Sequence, residues 1–399
     1  MTDAEVLAPP SAPPTATRWP PVLAVALATF TVVSSEMMPV GLLTPMSQSL
    51  GVTDGVTGLS LTITGLLAAA LAPFAPRIVG RRDRRAVLVA FMLLLALADA
   101  LSALAPDFAV LAAARILLGV AMGIVWGLVA SLGPRLAEGP RVALAMTLIF
   151  SGVSVASVLG VPLGTYLAAL LDWRAAFWAL AALGVLCAAV LAATLPPLPA
   201  RGPAHRRGPA HALRHRGVAT AIAVTALVVL GHFAGYTYLR PVLEADAGLS
   251  SGAIAACLLG YGLAGVAGNF TLGPLSGRHP RTAVALALGG VALAALLLPH
   301  ATGGVVTVLL VLLLWGVAYG GVSVSTQTWV RTADPAVIEA SAALWAGVFN
   351  ASIALGSLAG GQVVDRAGTG AVLLTAAGLA GAGLLLTALS RPRGRRRDG

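Results

Sequence analysis

Residues 196–217, in the middle of the chain, read PPLPARGPAHRRGPAHALRHRG, a hydrophilic stretch between two long apolar regions. Both regions contain apolar segments of the length that a helix needs to cross a bilayer, about 20 residues for a hydrocarbon core of about 30 Å. Six such segments precede the hydrophilic stretch and six follow it. The sequence therefore predicts an all-α membrane protein with twelve transmembrane helices in two halves.

The predicted organisation follows from these segments. The predicted spans are 22–43, 56–76, 86–105, 109–132, 142–168, 175–195, 218–242, 252–273, 282–299, 303–327, 337–363 and 370–390. They form a six-helix bundle over 18–195, a basic linker over 196–217 and a second six-helix bundle over 218–390. A disordered tail at 1–17 and a basic tail at 391–399 complete the predicted domains.

The composition supports a membrane protein. Hydrophobic residues make up 58% of the 399 residues and charged residues 10%, with a mean hydropathy of +0.91. A soluble protein carries about 25% charged residues, so a soluble fold is excluded. Arginine supplies all 25 basic residues, which excludes a Walker A loop and a lysine Schiff base because both require lysine.

The arginines also predict the orientation. Of the 25, 21 fall in the tails and in alternate loops on one side, whereas Arg174, Arg240 and Arg366 fall on the other and Arg115 lies within a span. The positive-inside rule then places both termini and the central loop in the cytoplasm. Because the basic residues occupy short loops between spans, the net charge of +10 predicts a membrane face and no nucleic-acid partner.

The two halves repeat one another in sequence. An arginine-rich element, PRIVGRRDRR at 76–85, follows span 2, and a weaker one, GPLSGRHPR at 273–281, follows span 8. Span 5 runs into Asp172-Trp173-Arg174, and span 11 runs into Asp365-Arg366. Repeated halves of six spans are typical of secondary transporters, whose substrate site lies between the halves.

Over residues 18–390 the sequence resembles the major facilitator superfamily. Its loop after helix 2 is matched by Arg77, Gly80, Arg81 and Arg82, but Ala75 or Pro76 replaces the usual Asp that helps to lock and release the outward-facing state. LAAARILLGVAMG at 111–123 resembles the helix-4 motif, and SGVSVASVLGVPLG at 151–164 resembles the helix-5 motif of drug:proton antiporters. The resemblance points to the arabinose-efflux-permease-like branch, with chloramphenicol-resistance permeases as the nearest likeness.

Three charged residues inside spans are candidates for proton coupling. Glu36 and Arg115 both lie roughly 21 Å from the predicted cytoplasmic face at about 1.5 Å per residue. An ionised carboxylate is costly at that depth, which suits Glu36 to reversible protonation, and the resemblance implies proton transfer at Arg115. Asp99, at a similar depth, is an alternative proton site. For Arg115 the competing interpretation is a structural polar network. For Asp99 it is a side chain that only faces a neighbouring helix or the outer interface.

Other polar and aromatic residues are candidates for the substrate cavity: His232, Tyr236, Gln327, Asn350 and Trp126. Tyr236 lies one turn after His232, on the same helix face, and an imidazole can titrate near neutral pH. Helix packing is the competing interpretation for each of them.

Small residues predict close helix packing and gating. In span 5, Gly152, Gly160 and Gly164 let helices approach, and Pro162 can kink the helix so that one half can rock against the other. Gly260, Gly262 and Gly265 fit the dinucleotide pattern GxGxxG. They lie within a span with no preceding strand, so helix packing explains them better.

These observations predict a multi-pass inner-membrane drug:proton antiporter that exports an apolar or amphipathic molecule by alternating access. Its expected partners are a small-molecule substrate, protons and the lipid bilayer, and it is expected to be a monomer. No cofactor, metal or enzymatic activity is expected. Export of a sugar, nucleoside or native metabolite is the alternative. Uniport and a transport-inactive membrane sensor are more remote alternatives.

Overall fold

The computed structural model describes residues 19–129, 132–139, 141–199, 213–301, 303–334 and 337–390. The helices are α1 Trp19–Leu50, α2 Asp54–Leu71, α3 Ala75–Val79, α4 Arg84–Leu104, α5 Phe108–Val129, α6 Gly133–Leu136, α7 Arg141–Val155, α8 Val161–Leu170, α9 Trp173–Thr194, α10 Arg216–Tyr236, α11 Leu239–Ala245, α12 Ser251–Arg278, α13 Pro280–Leu297, α14 Val305–Gly320, α15 Val322–Ala333 and α16 Ile338–Leu389. The described residues form no strand. The all-α prediction is confirmed.

The helices supply twelve membrane spans. Eleven helical runs in the described part of the chain are long and apolar enough to cross a bilayer, and the last one covers 49 residues, Ser341–Leu389. Gly368 interrupts that run with φ +81° and ψ −178°, a conformation that side chains with a Cβ rarely adopt. The run is therefore two helices, which confirms the predicted count of twelve spans.

Each half has its own hydrophobic core. Leu118 belongs to the main core of the first bundle and Phe177 to a smaller one. Trp315 is fully buried in the core of the second bundle. Val40 and Leu61 of the first bundle pack into this second core, so α1 and α2 hold the two bundles together.

The segment between the bundles is held by a hydrogen bond at the first of its described ends. Asp83 caps the start of α4, and its Oδ1 also accepts a hydrogen bond from the Leu198 backbone N–H at 2.9 Å. At the other end, α10 begins at Arg216. The predicted linker is therefore anchored to the first bundle through Leu198. Residues 200–212, both predicted tails and Arg18 lie outside the described residues.

The loop after α2 turns at a glycine and exposes its arginines. Gly80 ends α3 with φ +58°, and Arg77, Arg81 and Arg82 are exposed. Ala75, one of the two positions where the family's Asp is missing, is fully buried. An acidic group at that position would need a partner inside the bundle.

The glycines of span 5 lie against α1. The contacts pair Gly152 with Thr29, Gly160 with Ser34 and Gly164 with Met38. Thr29 Oγ1 also donates a hydrogen bond to the Ile149 carbonyl at 2.6 Å. Between these contacts, residues 156–160 form a π-helical turn directly before Pro162. Proline lacks an N–H and its ring crowds the carbonyl four residues earlier, which explains the local unwinding.

Gly152→Val is expected to destabilise the protein. A Cβ at Gly152 would overlap Thr29 Oγ1 and the Ala26 carbonyl oxygen, so α1 and α7 would have to separate. Overpacking of this kind costs about 1–3 kcal/mol. The measurement is the thermal unfolding midpoint in detergent. Gly378→Ala is the matched control, because nothing lies within 4 Å of a Cβ there. Equal midpoints for the two variants would contradict the packing role.

Candidate functional site

The two bundles contact each other at the end that the arginine pattern predicts to be extracellular. Asp365, at the end of predicted span 11, accepts hydrogen bonds from Thr53 Oγ1 at 2.7 Å and from the Gly55 N–H at 2.9 Å. Thr53 is the N-cap of α2, so the carboxylate of one bundle lies at a helix N-terminus of the other. This placement is electrostatically favourable, because the N-terminal end of a helix attracts negative charge.

Arg240 adds a second contact between the bundles. Its Nη1 donates to the Gly41 carbonyl of α1 at 2.5 Å, and its Nε pairs with Glu244 at 2.8 Å. Nearby, the Tyr238 side chain fills the space left by Gly58 and Gly361, one from each bundle. The sequence placed Arg240 on the predicted outer side and gave no sign of this reach across the interface.

Asp365→Ala is expected to loosen this end of the molecule. The variant leaves the Gly55 N–H without its acceptor and removes negative charge from the start of α2. Losing a cap costs about 1 kcal/mol, which predicts faster amide hydrogen exchange in the first turn of α2 by about fivefold. Asp246→Ala, which removes an exposed carboxylate that accepts a hydrogen bond from Thr369, is the control. Unchanged protection of the first turn would show that Asp365 does not hold the bundles together.

Glu36 lies in α1 and faces the second bundle. It is 5% exposed, and its Oε1 has no hydrogen-bond partner within the described residues. The next residue, Met37, packs against the core of the second bundle, and Glu36 is close enough to Tyr319 of α14 to interact with it electrostatically. A carboxyl group without a fixed partner is free to exchange a proton or to bind a ligand.

Arg115 and Asp99 form a separate buried polar cluster inside the first bundle. The Ser35 hydroxyl donates to Asp99 Oδ2 at 2.6 Å, and Arg115 Nη1 donates to the Ser35 carbonyl at 3.0 Å. The guanidinium carbon of Arg115 lies 4.7 Å from the centre of the Phe177 ring. Consecutive residues point about 100° apart around a helix, so Ser35 faces this cluster while Glu36 faces the second bundle.

The equal predicted depth of Glu36 and Arg115 permits coupling between them, which stays a prediction. The described contacts of Arg115 join it to Ser35 and Phe177. Arg115 reaches Glu36 only through the backbone of the neighbouring residue. Asp99 faces a neighbouring helix, α1, which was one of the two alternatives to a proton site that the sequence left open.

His232 is the centre of an aromatic cluster in the second bundle. The Trp315 Nε1–H donates to His232 Nδ1 at 3.0 Å, which assigns the hydrogen of the neutral ring to Nε2. Three tyrosine rings stack near the imidazole: Tyr319 with a centroid separation of 3.3 Å, Tyr236 at 4.8 Å and Tyr261 at 6.4 Å. Through Tyr319, this cluster is within electrostatic range of Glu36.

The sequence marked His232 and Tyr236 of this cluster as candidates, but it did not mark Tyr261, Trp315 or Tyr319. Trp315 and Tyr319 are four residues apart and share one face of α14, which is the signal that could have found them. Tyr261 lies between Gly260 and Gly262, inside the glycine pattern.

The other predicted cavity residues lie elsewhere. Asn350 Nδ2 donates to the Ala346 carbonyl of its own helix at 2.9 Å. Trp126 of α5 stacks with the exposed Phe150 of α7, with 6.2 Å between the ring centres. Gln327 is partly buried on α15. The described hydrogen bonds and ring contacts join none of the three to His232, so their place in a substrate cavity stays a prediction.

Two six-helix bundles with a buried carboxyl group facing from one toward the other form the architecture that is typical of secondary transporters. The sequence model of the Major Facilitator Superfamily matches residues 25–337, and the chain belongs to this family. It is a multi-pass protein of the inner membrane.

Its relatives include the purine ribonucleoside efflux pumps NepI. The chain is 33% identical to NepI of Escherichia coli over 376 residues, which cover 93% of both chains, and 33% identical to NepI of Salmonella paratyphi B over 377 residues with the same coverage. With the family match, these efflux-pump relatives place the chain among the major facilitator efflux transporters.

Solved structures agree on the fold. The nucleoside transporter NupG superposes with a TM-score of 0.75 at 15% identity, covering 92% of this chain and 97% of that one. A bacterial homologue of the lysosomal transporter Spinster, in an inward-facing and unoccupied conformation, superposes with a TM-score of 0.70 at 17% identity over 95% of both chains.

Proposed function

We propose that this protein exports purine-type nucleosides in exchange for protons. The observation that carries the proposal is the stacked aromatic cluster around His232, whose Tyr319 is within electrostatic range of the unpartnered Glu36 carboxyl group. The full-length similarity to purine ribonucleoside efflux pumps supports it. Antibiotic export has no comparable support, since none of the relatives described above carries that name.

A nucleoside suits the chemistry of this cluster. Its base is flat and stacks on aromatic rings, and each stacked base contributes about 1–3 kcal/mol. His232, Tyr236, Tyr261 and Tyr319 offer ring faces together with hydroxyl groups and an imidazole N–H. These polar groups match the ring nitrogens of a base and the ribose hydroxyls. A purely apolar cargo would leave them without partners in a buried site, which is costly.

Glu36 supplies the exchange with protons. In the proposed cycle its carboxyl group binds a proton when the site opens to the outside and releases it to the cytoplasm as the nucleoside binds. An ionised carboxylate in the membrane interior is costly, so the empty site favours the protonated form. The membrane potential contributes about 2.3 kcal/mol per proton per 100 mV to export.

Proton movement in inverted vesicles tests the proposal. A pH-sensitive dye would report proton efflux after addition of adenosine, inosine, chloramphenicol or arabinose. We expect a response to the two nucleosides. A response to chloramphenicol alone would establish antibiotic export instead. Radiolabelled nucleoside flux without proton movement would show a uniporter, and no flux of any compound by folded protein would overturn the proposal.

A further inference from the structure

The buried cluster of Ser35, Asp99 and Arg115 is incompletely paired. Asp99 is fully buried and Arg115 is 1% exposed, yet Asp99 Oδ1, Arg115 Nε and Arg115 Nη2 have no hydrogen-bond partner among the described residues. An acid and a guanidinium that are buried together normally form a direct, two-pronged ion pair. Here the two groups interact electrostatically, but no N–O distance between them falls within 4 Å.

The unpaired atoms are complementary. One acceptor on Asp99 and two donors on Arg115 are left open, while each residue makes one bond to Ser35. A protonated Asp99 explains this arrangement, because a neutral acid has little pull on the guanidinium and leaves it on the Ser35 carbonyl. An ionised Asp99 would attract Arg115 and fill the open positions on both sides.

We propose that Asp99 is a second proton-binding site, separate from Glu36, whose state of protonation decides where Arg115 binds. With the proton on Asp99, Arg115 holds α1 through the Ser35 carbonyl. When the proton leaves, Arg115 pairs with the Asp99 carboxylate and releases α1. Because Glu36 follows Ser35 directly on α1, this change acts on the helix that carries the first proton site.

Few polar or charged groups surround the Asp99 carboxyl group. Of the helices packed around it, α1 presents the Ser35 hydroxyl, α5 presents Arg115, and α9 presents the ring of Phe177 over the guanidinium. Arg115 is the charged group that interacts electrostatically with the Asp99 carboxyl. Glu36 faces the other bundle, so each acid can be tested with the other intact.

Infrared spectroscopy tests the proton site without any substrate. The pH-induced difference spectrum of the protein in lipid would report the carbonyl stretch of protonated acids for the wild type, Asp99→Asn and Glu36→Gln. We expect each variant to lose one buried carboxyl contribution and to keep the other. Asp107→Asn, which removes an exposed acid at the start of α5, is the control. A spectrum of Asp99→Asn identical to the wild type would overturn the proposal.

A second variant covers the case in which Asp99→Asn does not fold. Ser35→Ala removes the hydroxyl bonded to Asp99 Oδ2 and keeps the carbonyl bonded to Arg115. We expect it to shift the frequency and titration midpoint of the Asp99 contribution while the Glu36 contribution stays unchanged. No shift would show that the carboxyl group does not titrate at this place.

Transport measurements add an arm that rests on the proposed function. For Asp99→Asn we expect nucleoside counterflow to continue while the protons moved per nucleoside fall to about half, because one of two titrating acids is gone. An unchanged ratio would overturn the second site. If the wild type moves no nucleoside, the proposed function fails, and the infrared measurement still decides the question for Asp99.

Discussion

Glu36→Gln is expected to lower the accumulation ratio of uphill nucleoside export sharply and to leave downhill exchange of nucleosides largely intact. The glutamine keeps the size and hydrogen-bonding ability of the side chain but holds no exchangeable proton, so substrate movement loses the proton that Glu36 carries. At about 100 mV the lost driving force of about 2.3 kcal/mol per proton corresponds to about a 50-fold lower accumulation ratio.

Two transport assays in proteoliposomes measure this effect. Uphill transport is followed under an imposed pH gradient and potential, and counterflow is followed with labelled nucleoside on one side and unlabelled nucleoside on the other. Glu138→Gln, which changes an exposed acid between α6 and α7, is the matched control. If Glu36→Gln sustained full uphill export, Glu36 would have no coupling role and proton coupling would move to Asp99.

The fold could be predicted from sequence because a bilayer leaves few choices. Apolar segments of spanning length, together with the break at 196–217, gave both the number of helices and the division into two bundles. The same logic marked Glu36 and His232, since a polar group inside an apolar span is conspicuous. Gly368, where the last two spans meet, lies in the predicted short loop between them.

The site itself depends on contacts that sequence spacing does not encode. Ser35 and Asp99 are 64 residues apart in the chain, and the bond between them fixes which face of α1 belongs to the first bundle. Tyr319 and Trp315 resemble ordinary packing residues of an apolar helix until α14 is placed against α10. The pairing of Arg115 with Ser35 instead of Glu36 is likewise a matter of helix rotation.

Tyr319→Leu is expected to weaken nucleoside binding more than any other single change in the aromatic cluster. Tyr319 makes the closest ring contact of the cluster, at 3.3 Å from the centre of the His232 ring, and it is the cluster member that interacts with Glu36. Leucine keeps an apolar side chain of moderate size but removes the flat ring. Removing the ring on which the base stacks costs about 1–3 kcal/mol of binding free energy, which raises the Kd for adenosine by about 5- to 150-fold.

Tyr319→Phe separates the ring from its hydroxyl group in the same experiment. We expect Phe to restore most of the adenosine affinity if stacking dominates, and to leave a loss of about 1 kcal/mol if the hydroxyl group bonds the nucleoside. Tyr166→Leu is the control, because Tyr166 is an exposed tyrosine on α8, away from the cluster. Binding is measured by calorimetry on detergent-purified protein. Equal adenosine Kd values for Tyr319→Leu, Tyr166→Leu and the wild type would exclude the aromatic cluster as the nucleoside site, even if the protein still exported nucleosides.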